Sequence, residues 1–366
     1  MEKSLFIIIL LNLLILIATV LPMSKNRHWV VRAMDFPRMQ IACLTICLLI
    51  YNVVSLDLTS PITWGIIIPL SACLFWQLWW ILPYTFLWKK EVKTSTCNDI
   101  NKQLSILTTN VLKTNRNSGL LIEQINKLSP DILVTLETDQ WWEDELAVIE
   151  ADMPYSVKCP LDNYYGMHVY SKLPFSEEEI CFLVEEDIPS IHFSLKLRSN
   201  DNIRMHFMHP APPSPTENTE STERDAELLT LARSIVDSSQ PIIVTGDLND
   251  VVWSPTTRMF RKISGLLDPR IGRGVFSTFH VDYSFLRWPL DHLFHSDHFT
   301  LLNIKRLPSI GSDHFALFSQ LAFTPNVNAK KEGVDANKDE REEAKKMSES
   351  NNVSKDDIPT LDKDNQ

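Results

Sequence analysis

Acidic, amide and imidazole side chains stand at the ends of apolar runs throughout residues 104–323. Runs of this kind predict buried β-strands, so the polar residues at their ends are candidates for a shared site. One acid at a strand end is usually a cap, and one histidine in an apolar strand usually belongs to the core. Six clusters of these residue types together indicate a common chemical site. The candidates are Asn110, Glu137, His209, Asp247, Asn249, Asp291, His292, Asp313 and His314.

The residue types favour one class of chemistry. Carboxylate and amide oxygens are the ligands of a hard divalent cation such as Mg²⁺ or Mn²⁺, and zinc prefers other donors. Such an ion polarises a phosphoryl oxygen. A carboxylate can align or deprotonate the attacking water, and an imidazole can stabilise or protonate the phosphoryl group. The set therefore predicts metal-assisted hydrolysis of a phosphate ester.

The stretch PIIVTGDLND, residues 241–250, shows how a strand presents such groups. Residues two apart in an extended chain face the same side, so Asp247 and Asn249 are expected to face one phosphate and its water. Gly246 lets the chain bend before them. Asp250 points the other way and is expected to cap the turn.

The elements that position these residues alternate between short apolar runs and amphipathic helices. This alternation predicts a layered α/β or α+β domain of about 220 residues. Strands are predicted at 104–110, 131–137, 166–171, 191–197, 203–209, 242–246, 290–294 and 315–323. Helices are predicted at 118–128, 141–150, 222–238 and 255–263.

The candidate residues lie in six short motifs. In chain order these are TTN (108–110), PDILVTLET (130–138), HPAPP (209–213), GDLND (246–250), PLDHLF (289–294) and SDH (312–314). Their order resembles that of the endonuclease/exonuclease/phosphatase superfamily, also called deoxyribonuclease-I-like. The resemblance covers roughly residues 104–323 and implies a four-layer α/β/β/α sandwich. The N-terminal stretches WVVRAMDFPRMQ (29–40) and ILPYTFLWKKEV (81–92) are similar to membrane-anchored bacterial members.

The resemblance implies a metal site for Mg²⁺ or Mn²⁺. Glu137 would be the principal ligand, with Asn110 and Asp313 holding or bordering the ion. Some nucleases of the superfamily carry an acid two positions after the first asparagine, where this chain has Leu112. That departure speaks against an acid-assisted second metal position. His292 has no counterpart in the family and is expected to be a core residue.

The resemblance also implies the residues that act on the substrate. Asp247 would orient or deprotonate the attacking water. Asn249 and His314 would contact the phosphate, with Asp291 orienting His314. His209 would stabilise the phosphoryl group.

Three apolar segments precede this region, at about 5–22, 40–57 and 62–84. Each approaches the roughly 20 residues that a membrane-spanning helix needs, and tryptophans cluster near the third. A cleaved signal peptide is the alternative for the first segment. It fits poorly, because no A-x-A-like site follows and two further segments do. Residues 1–90 are therefore predicted to be a membrane anchor, and the lipid bilayer is a predicted partner.

The distribution of basic residues predicts the orientation of the anchor. Lys25, Arg27, Arg32 and Arg38 lie between the first two spans, and further lysines follow the third. The loop around Asp57 has neither lysine nor arginine. The positive-inside rule then places the N-terminus outside and the hydrolase domain on the cytoplasmic side of a bacterial inner membrane.

The remaining features limit the partners. The domain is expected over 98–324, and the charged stretch 325–366 is expected to be a disordered tail. A net charge of −11 argues against a general affinity for nucleic acid, which requires a basic surface. Six cysteines without a CxxC spacing indicate neither a zinc site nor a disulfide framework, and favour a reducing compartment. No protein partner is inferred.

The substrate stays open at this stage: a lipid head group, a nucleotide or a nucleic acid. The alternative functions are a nuclease acting near the membrane and a catalytically silent membrane scaffold with the same fold. The loop after His209, APPSPTENTEST, is acidic and rich in proline, unlike a DNA-binding loop. Five basic residues are possible phosphate contacts, although solvated surface charge is their more common role. They are Lys113, Arg116, Arg258, Arg261 and Arg287.

Overall fold

Three long apolar helices occupy the N-terminal part of the chain, as the sequence predicts. The computed structural model describes residues 2–325 and 335–359. Each of the three helices has the length and composition to cross a membrane. Most of their apolar side chains are exposed, as expected for helices that face lipid. The helices of this part are α1 (Glu2–Val20), the short α2 (Trp29–Ala33), α3 (Arg38–Ser55) and α4 (Pro61–Ile81).

Two β-sheets follow, one of six strands and one of five. The strands are β1 (Gln103–Asn110), β2 (Ile132–Leu136), β3 (Tyr155–Cys159), β4 (Met167–Ser171), β5 (Phe175–Cys181), β6 (Ser190–Lys196), β7 (Asn202–Met208), β8 (Ile242–Asp247), β9 (Asp291–His295), β10 (Phe299–Ser309) and β11 (Phe315–Phe323). The first sheet has the order β10-β11-β1-β2-β4-β3, and the second has the order β5-β6-β7-β8-β9.

The two sheets pack face to face, and helices cover their outer faces. Apolar residues of both sheets, among them Ile106 and Phe207, form one buried cluster between them. Near the site described below, the hydroxyls of Thr108 and Thr245 meet at 2.9 Å across the two sheets. The predicted α/β/β/α sandwich is confirmed. The covering helices are α5 (Ser118–Leu128) and α6 (Gln140–Leu146) on the first sheet, and α7 (Thr222–Ile235) and α8 (Pro255–Ser264) on the second.

Strand directions bring the polar strand ends to one end of the sandwich. In the first sheet β1 is parallel to β2 and antiparallel to β11. In the second sheet β7 is parallel to β8, and β8 is antiparallel to β9. The carboxyl ends of β1, β2, β7 and β8 and the amino ends of β9 and β11 are the places where the candidate residues stand.

The anchor packs directly on the sandwich. The indole Nε1 of Trp253 donates to the carbonyl of Asp35 at 2.7 Å, and the Tyr84 hydroxyl donates to the carbonyl of Val252 at 3.1 Å. The segments that follow α1 and α4 therefore both contact the sandwich, so they lie at the same end of the helical bundle. Sequence-based orientation also places these two segments on one side.

The expectation of a disordered tail does not hold for residues 335–359. Helix α9 (Lys338–Ser350) packs against α7, where Ser348 and Thr230 share a hydrogen bond of 2.9 Å. Ala344 and Met347 are buried in that contact. These few apolar residues lie within a stretch that is otherwise charged, so composition alone concealed the docking face. The rest of the predicted tail, 326–334 and 360–366, lies outside the described residues.

The start of the domain also differs from the expected 98–324. The side chain of Val92 is fully buried between the sheets, and Glu91 pairs with Arg261 at 2.6 Å. The sandwich therefore includes residues immediately after the anchor.

Candidate active site

The turn after β8 depends on a glycine. Gly246 has a φ of 151°, and a Cβ at this position would lie 1.9 Å from the carbonyl oxygen of Met208. Asp247 follows, and its Oδ1 accepts a hydrogen bond of 3.0 Å from the backbone N–H of Asn249. The amide of Asn249 donates to the carbonyl of Pro210 at 3.0 Å, which joins this turn to the one after β7.

Asp250 anchors the turn to the helices behind it. Its carboxylate accepts hydrogen bonds from the hydroxyls of Ser254 and Thr257, and it lies 3.4 Å from Arg224 of α7. The expected cap of a local turn is thus a buried carboxylate that fixes the turn to α7 and α8.

Four buried side chains form a charged row beneath this turn. His314 directs Nδ1 to Asp291 Oδ2 at 2.9 Å and Nε2 to Asp247 Oδ2 at 3.5 Å. His209 Nε2 lies 4.0 Å from the same Asp247 oxygen. Asp291 is the first residue of β9, His314 stands directly before β11, and His209 directly follows β7. The row therefore requires both sheets.

The ionisation of this row follows from its contacts. Burial alone would raise the pKa of Asp247, but His314, His209 and hydrogen bonds from Asn249 and Asn110 hold that pKa below its usual range. Burial would lower the pKa of His314, but Asp247 and Asp291 raise it to about 10. Burial lowers the pKa of His209 to about 4. Burial also raises the pKa of Asp291. At neutral pH the row therefore holds the imidazolium of His314 between Asp247 and Asp291, beside the neutral imidazole of His209.

A second set of groups lies on the more open side of Asp247. Asn110 Nδ2 donates to Glu137 Oε1 at 2.7 Å and reaches Asp247 Oδ2 at 3.3 Å. Glu137 has a φ of 60°, in the left-handed region, and its Oε2 accepts a long bond of 3.4 Å from the backbone N–H of Lys113. Burial, and then repulsion from Asp313 and Asp247, raise the pKa of Glu137 to about 7.

The donors around Glu137 fit a divalent cation. Glu137 and Asp313 are only half-buried, and their carboxylates are close enough to repel each other, which a cation would relieve. The amide oxygen of Asn110 accepts a hydrogen bond of 3.0 Å from the backbone N–H of Leu112. Asn110 is therefore oriented to hold the carboxylates through its NH₂ group, so it would border a cation bound by Glu137 and would not be its ligand.

A second group of possible ligands is Asp247, Asp291 and His314, whose ligand atoms lie within 4.8 Å of one another. Both ring nitrogens of His314 already face carboxylates in this group. We therefore favour the Glu137 side for the cation.

The side chains of the other sequence candidates contact groups outside the site. His292 is buried between Arg270 and the carbonyl of Asp250, at 2.8 and 2.9 Å, which agrees with a core role. The five basic residues have other contacts. Lys113 pairs with Asp162, Arg116 with Asp139, Arg261 with Glu91, Arg258 lies over the Trp80 ring, and Arg287 donates to the carbonyls of His280 and Val281.

Two aromatic residues border the row without any sequence signal. The Phe279 ring lies 4.8 Å from the ring of His314, and the Tyr165 ring lies 5.2 Å from that of His209. The backbone N–H of Val281 also donates to the carbonyl of Asp313 at 2.8 Å. These residues belong to loops, which have no periodic pattern that would place them beside a distant strand end.

Comparison with known proteins identifies a sequence family and several solved structures that this chain resembles. A sequence profile of the Endonuclease/Exonuclease/phosphatase family matches residues 107–314, a range that contains every candidate residue. No curated protein sequence matches the chain.

Solved structures share the fold at low sequence identity. D. rerio TDP2 complexed with a single-strand DNA product is 17% identical, with a TM-score of 0.50 over 60% of this chain and 98% of that one. The human Nocturnin catalytic domain with a bound sulfate is 17% identical, with a TM-score of 0.50 over 62% and 96%. A Beutenbergia cavernae endonuclease/exonuclease/phosphatase is 14% identical, with a TM-score of 0.51 over 61% and 72%.

Proposed function

The chain belongs to the Endonuclease/Exonuclease/phosphatase family, whose members are metal-dependent phosphoester hydrolases, and we propose that it is a membrane-tethered phosphoesterase. It would hydrolyse a phosphodiester or phosphomonoester by attack of water. The observation that carries this proposal is the position of Asp247, buried beside two imidazoles and joined through Asn110 to Glu137.

Asp247 is the group that acts on water. It is ionised, and its Oδ2 is shared among Asn110, His209 and His314, which fixes the direction of its lone pairs. A carboxylate held in this way can orient a water molecule and accept its proton. Asn249, two residues further along the chain, would contact the phosphate through its side-chain amide, which also donates to the carbonyl of Pro210.

The two histidines stabilise the phosphoryl group. His314 is held by Asp291 and remains protonated at neutral pH, so its Nε2 proton can be donated to a phosphoryl oxygen. His209 is neutral and supplies a hydrogen bond without a second charge. Asp291 acts as a positioning residue, because it contacts His314 only through Nδ1.

Glu137 would hold a divalent cation, Mg²⁺ or Mn²⁺, with Asp313 assisting and Asn110 orienting the Glu137 carboxylate. When bound, this cation polarises a phosphoryl oxygen and neutralises developing charge.

Membrane tethering is supported by the three apolar helices and by their packing on the domain. With the basic residues of 24–39, these features favour a catalytic domain on the cytoplasmic side of a bacterial inner membrane. The nuclease alternative is less favoured, because in the part of the chain that the structure describes the side chains of the five basic candidates are engaged in other contacts. A catalytically silent scaffold would not need the buried charged row of Asp247, His209, His314 and Asp291, which disfavours that alternative.

The test is an assay of the full-length protein in detergent with bis-p-nitrophenyl phosphate, p-nitrophenyl phosphate and single-stranded DNA. Turnover that requires Mg²⁺ or Mn²⁺ and stops with EDTA supports the proposal. If none of these substrates, nor phospholipid vesicles, is hydrolysed with metal supplied, the scaffold reading replaces it.

A further inference from the structure

A groove of about 1020 Å³ lies between the start of α3 and the loop 275–287. Met39, Cys43 and Leu44 line it from the helix, and Phe276, Phe285 and Leu286 line it from the loop. Gln40 Nε2 donates to the carbonyl of Phe285 at 2.6 Å and joins the two walls.

The groove begins where a candidate membrane span begins. Leu44 is six residues beyond Arg38, where α3 begins, so the helix wall extends about 9 Å along the axis of a candidate span. The loop wall carries two exposed aromatic side chains, Tyr283 at 54% and Phe285 at 73% exposure. Aromatic rings in this position are typical of the boundary between lipid and water.

Three cations line the loop side of the groove: Arg287, Lys305 and Arg306. Arg287 and Arg306 donate to backbone carbonyls, and both guanidinium groups lie over the Phe315 ring. Within 2–325 and 335–359 no carboxylate pairs with any of the three. Burial, and then the charge of Arg287, lower the pKa of Arg306, which agrees with a cluster that lacks an anion.

The same loop forms one wall of the active site. Phe279 lies against His314, and Val281 donates to the carbonyl of Asp313. A ligand in the groove would therefore contact a segment that also holds two residues of the site.

We propose that this groove binds an anionic phospholipid from the bilayer. An acyl chain would lie along Met39, Cys43 and Leu44, and the phosphate would lie near Arg287, Lys305 and Arg306. The chain has a net charge of −11, so three cations that pair with no carboxylate of the described residues are unusual on it. The phosphate of an anionic head group would supply the negative charge that these cations lack. The inference requires the anchor to lie in a membrane, but it does not require catalysis.

The test measures lipid retention by the full-length protein. Protein is incorporated into nanodiscs of equal phosphatidylglycerol and phosphatidylcholine, released in mild detergent, and its retained lipids are counted by native mass spectrometry. We expect enrichment of phosphatidylglycerol, reduced about fivefold for each cation removed in Arg287→Gln and Arg306→Gln. The charge-matched control is Lys102→Gln with Lys127→Gln, two exposed lysines elsewhere on the domain.

Two further variants test the groove without removing the hydrogen bonds that Arg287 and Arg306 donate to the backbone. Lys305→Gln removes a cation that makes no side-chain hydrogen bond within the described ranges. Leu44→Trp fills the helix side of the groove and should reduce retention of phosphatidylglycerol with every cation in place. Equal retention of both lipids by the wild type, or enrichment that Lys305→Gln and Leu44→Trp leave unchanged, would overturn the proposal. Because no substrate is used, this outcome is separate from failure of the hydrolase assay.

Discussion

Asp247 and Glu137 both accept a hydrogen bond from the amide of Asn110, but they differ in burial and in the direction of their pKa shifts. Asp247 is only 1% exposed, whereas Glu137 is half-buried. Burial should make the deeper carboxylate the harder one to ionise. The reverse holds, because the pKa of Asp247 is lowered while that of Glu137 is raised to about 7. The two imidazoles beside Asp247 outweigh its depth, and the acids beside Glu137 add to the effect of burial.

This difference divides the site into two parts. In the row of Asp247, His209, His314 and Asp291, the protein itself supplies a positive charge, the imidazolium of His314, between the two acids. The Glu137 side has an excess of negative charge that a cation would balance. Substitutions should therefore act differently in the two parts.

The largest effect is expected for Asp247→Asn. The amide keeps the shape but cannot accept a proton from water, so kcat should fall by about 10³-fold in steady-state assays with saturating metal. Asp237→Asn, an exposed residue after α7, is the matched control. If a higher concentration of metal restored the activity of the variant, Asp247 would instead belong to the metal-binding side of the site, with Glu137.

Glu137→Gln should show that restoration. Loss of the carboxylate weakens cation binding, so activity at low metal should fall by about 10²-fold and recover in part as Mg²⁺ or Mn²⁺ is raised. Isothermal titration calorimetry of the variant measures the binding directly. Unchanged affinity for both ions would move the cation to the Asp247, Asp291 and His314 group.

Asp291→Asn should have a smaller effect, of about tenfold to 10²-fold in kcat, because it acts through His314. Asp291 helps to raise the pKa of His314, so the alkaline limb of the kcat profile should move to lower pH in the variant. A uniform loss across all pH values would mean a structural role alone.

Glu227 tests whether neighbouring charges decide the ionisation of a buried carboxyl group. Its substitution should not affect activity, because Glu227 lies on α7, outside the candidate site. This carboxyl on α7 is buried, and burial followed by the charge of Glu185 raises its pKa to about 8. The native state then holds a proton that the unfolded state releases, so stability should fall as pH rises from about 4.5 to about 8. Glu227→Gln should remove that fall, a difference on the order of 3 kcal/mol at pH 8 in denaturant unfolding. Equal pH dependence in both proteins would contradict it.

The sequence predicted the central strands and one edge strand, β9, and missed the other three edge strands. Of the three missed strands, β3 and β10 are the two edges of the first sheet, and β5 is an edge of the second. An edge strand has little to bury, and β5 reads FSEEEIC with nearly every residue exposed. Its composition therefore resembles that of a loop.

The candidate site was predictable to the extent that it rests on strand ends. Asp247, Glu137 and His314 follow or precede apolar runs, and strand direction alone brings them together. Phe279 and the approach of Arg287 to α3 could not be predicted, because both residues belong to a loop without periodicity. Lys305 and Arg306 belong to β10, which was itself missed. The docking of α9 was missed because only a few apolar residues in a charged stretch carry it.

Two hydrogen bonds join the N-terminal helices to the sandwich, Trp253 to Asp35 and Tyr84 to Val252. They limit where this chain could be joined to a different membrane anchor. Trp253 lies six residues after Asp247, so the wall against which the anchor packs is continuous with the catalytic turn. An exchange that joined this hydrolase to a foreign anchor at residue 98 would also discard Val92 and Glu91 and leave Val252 and Trp253 uncovered. The N-terminal helices and the sandwich therefore pack as one structural unit, and a chimaera would have to keep residues 251–253 together with the helices that they contact.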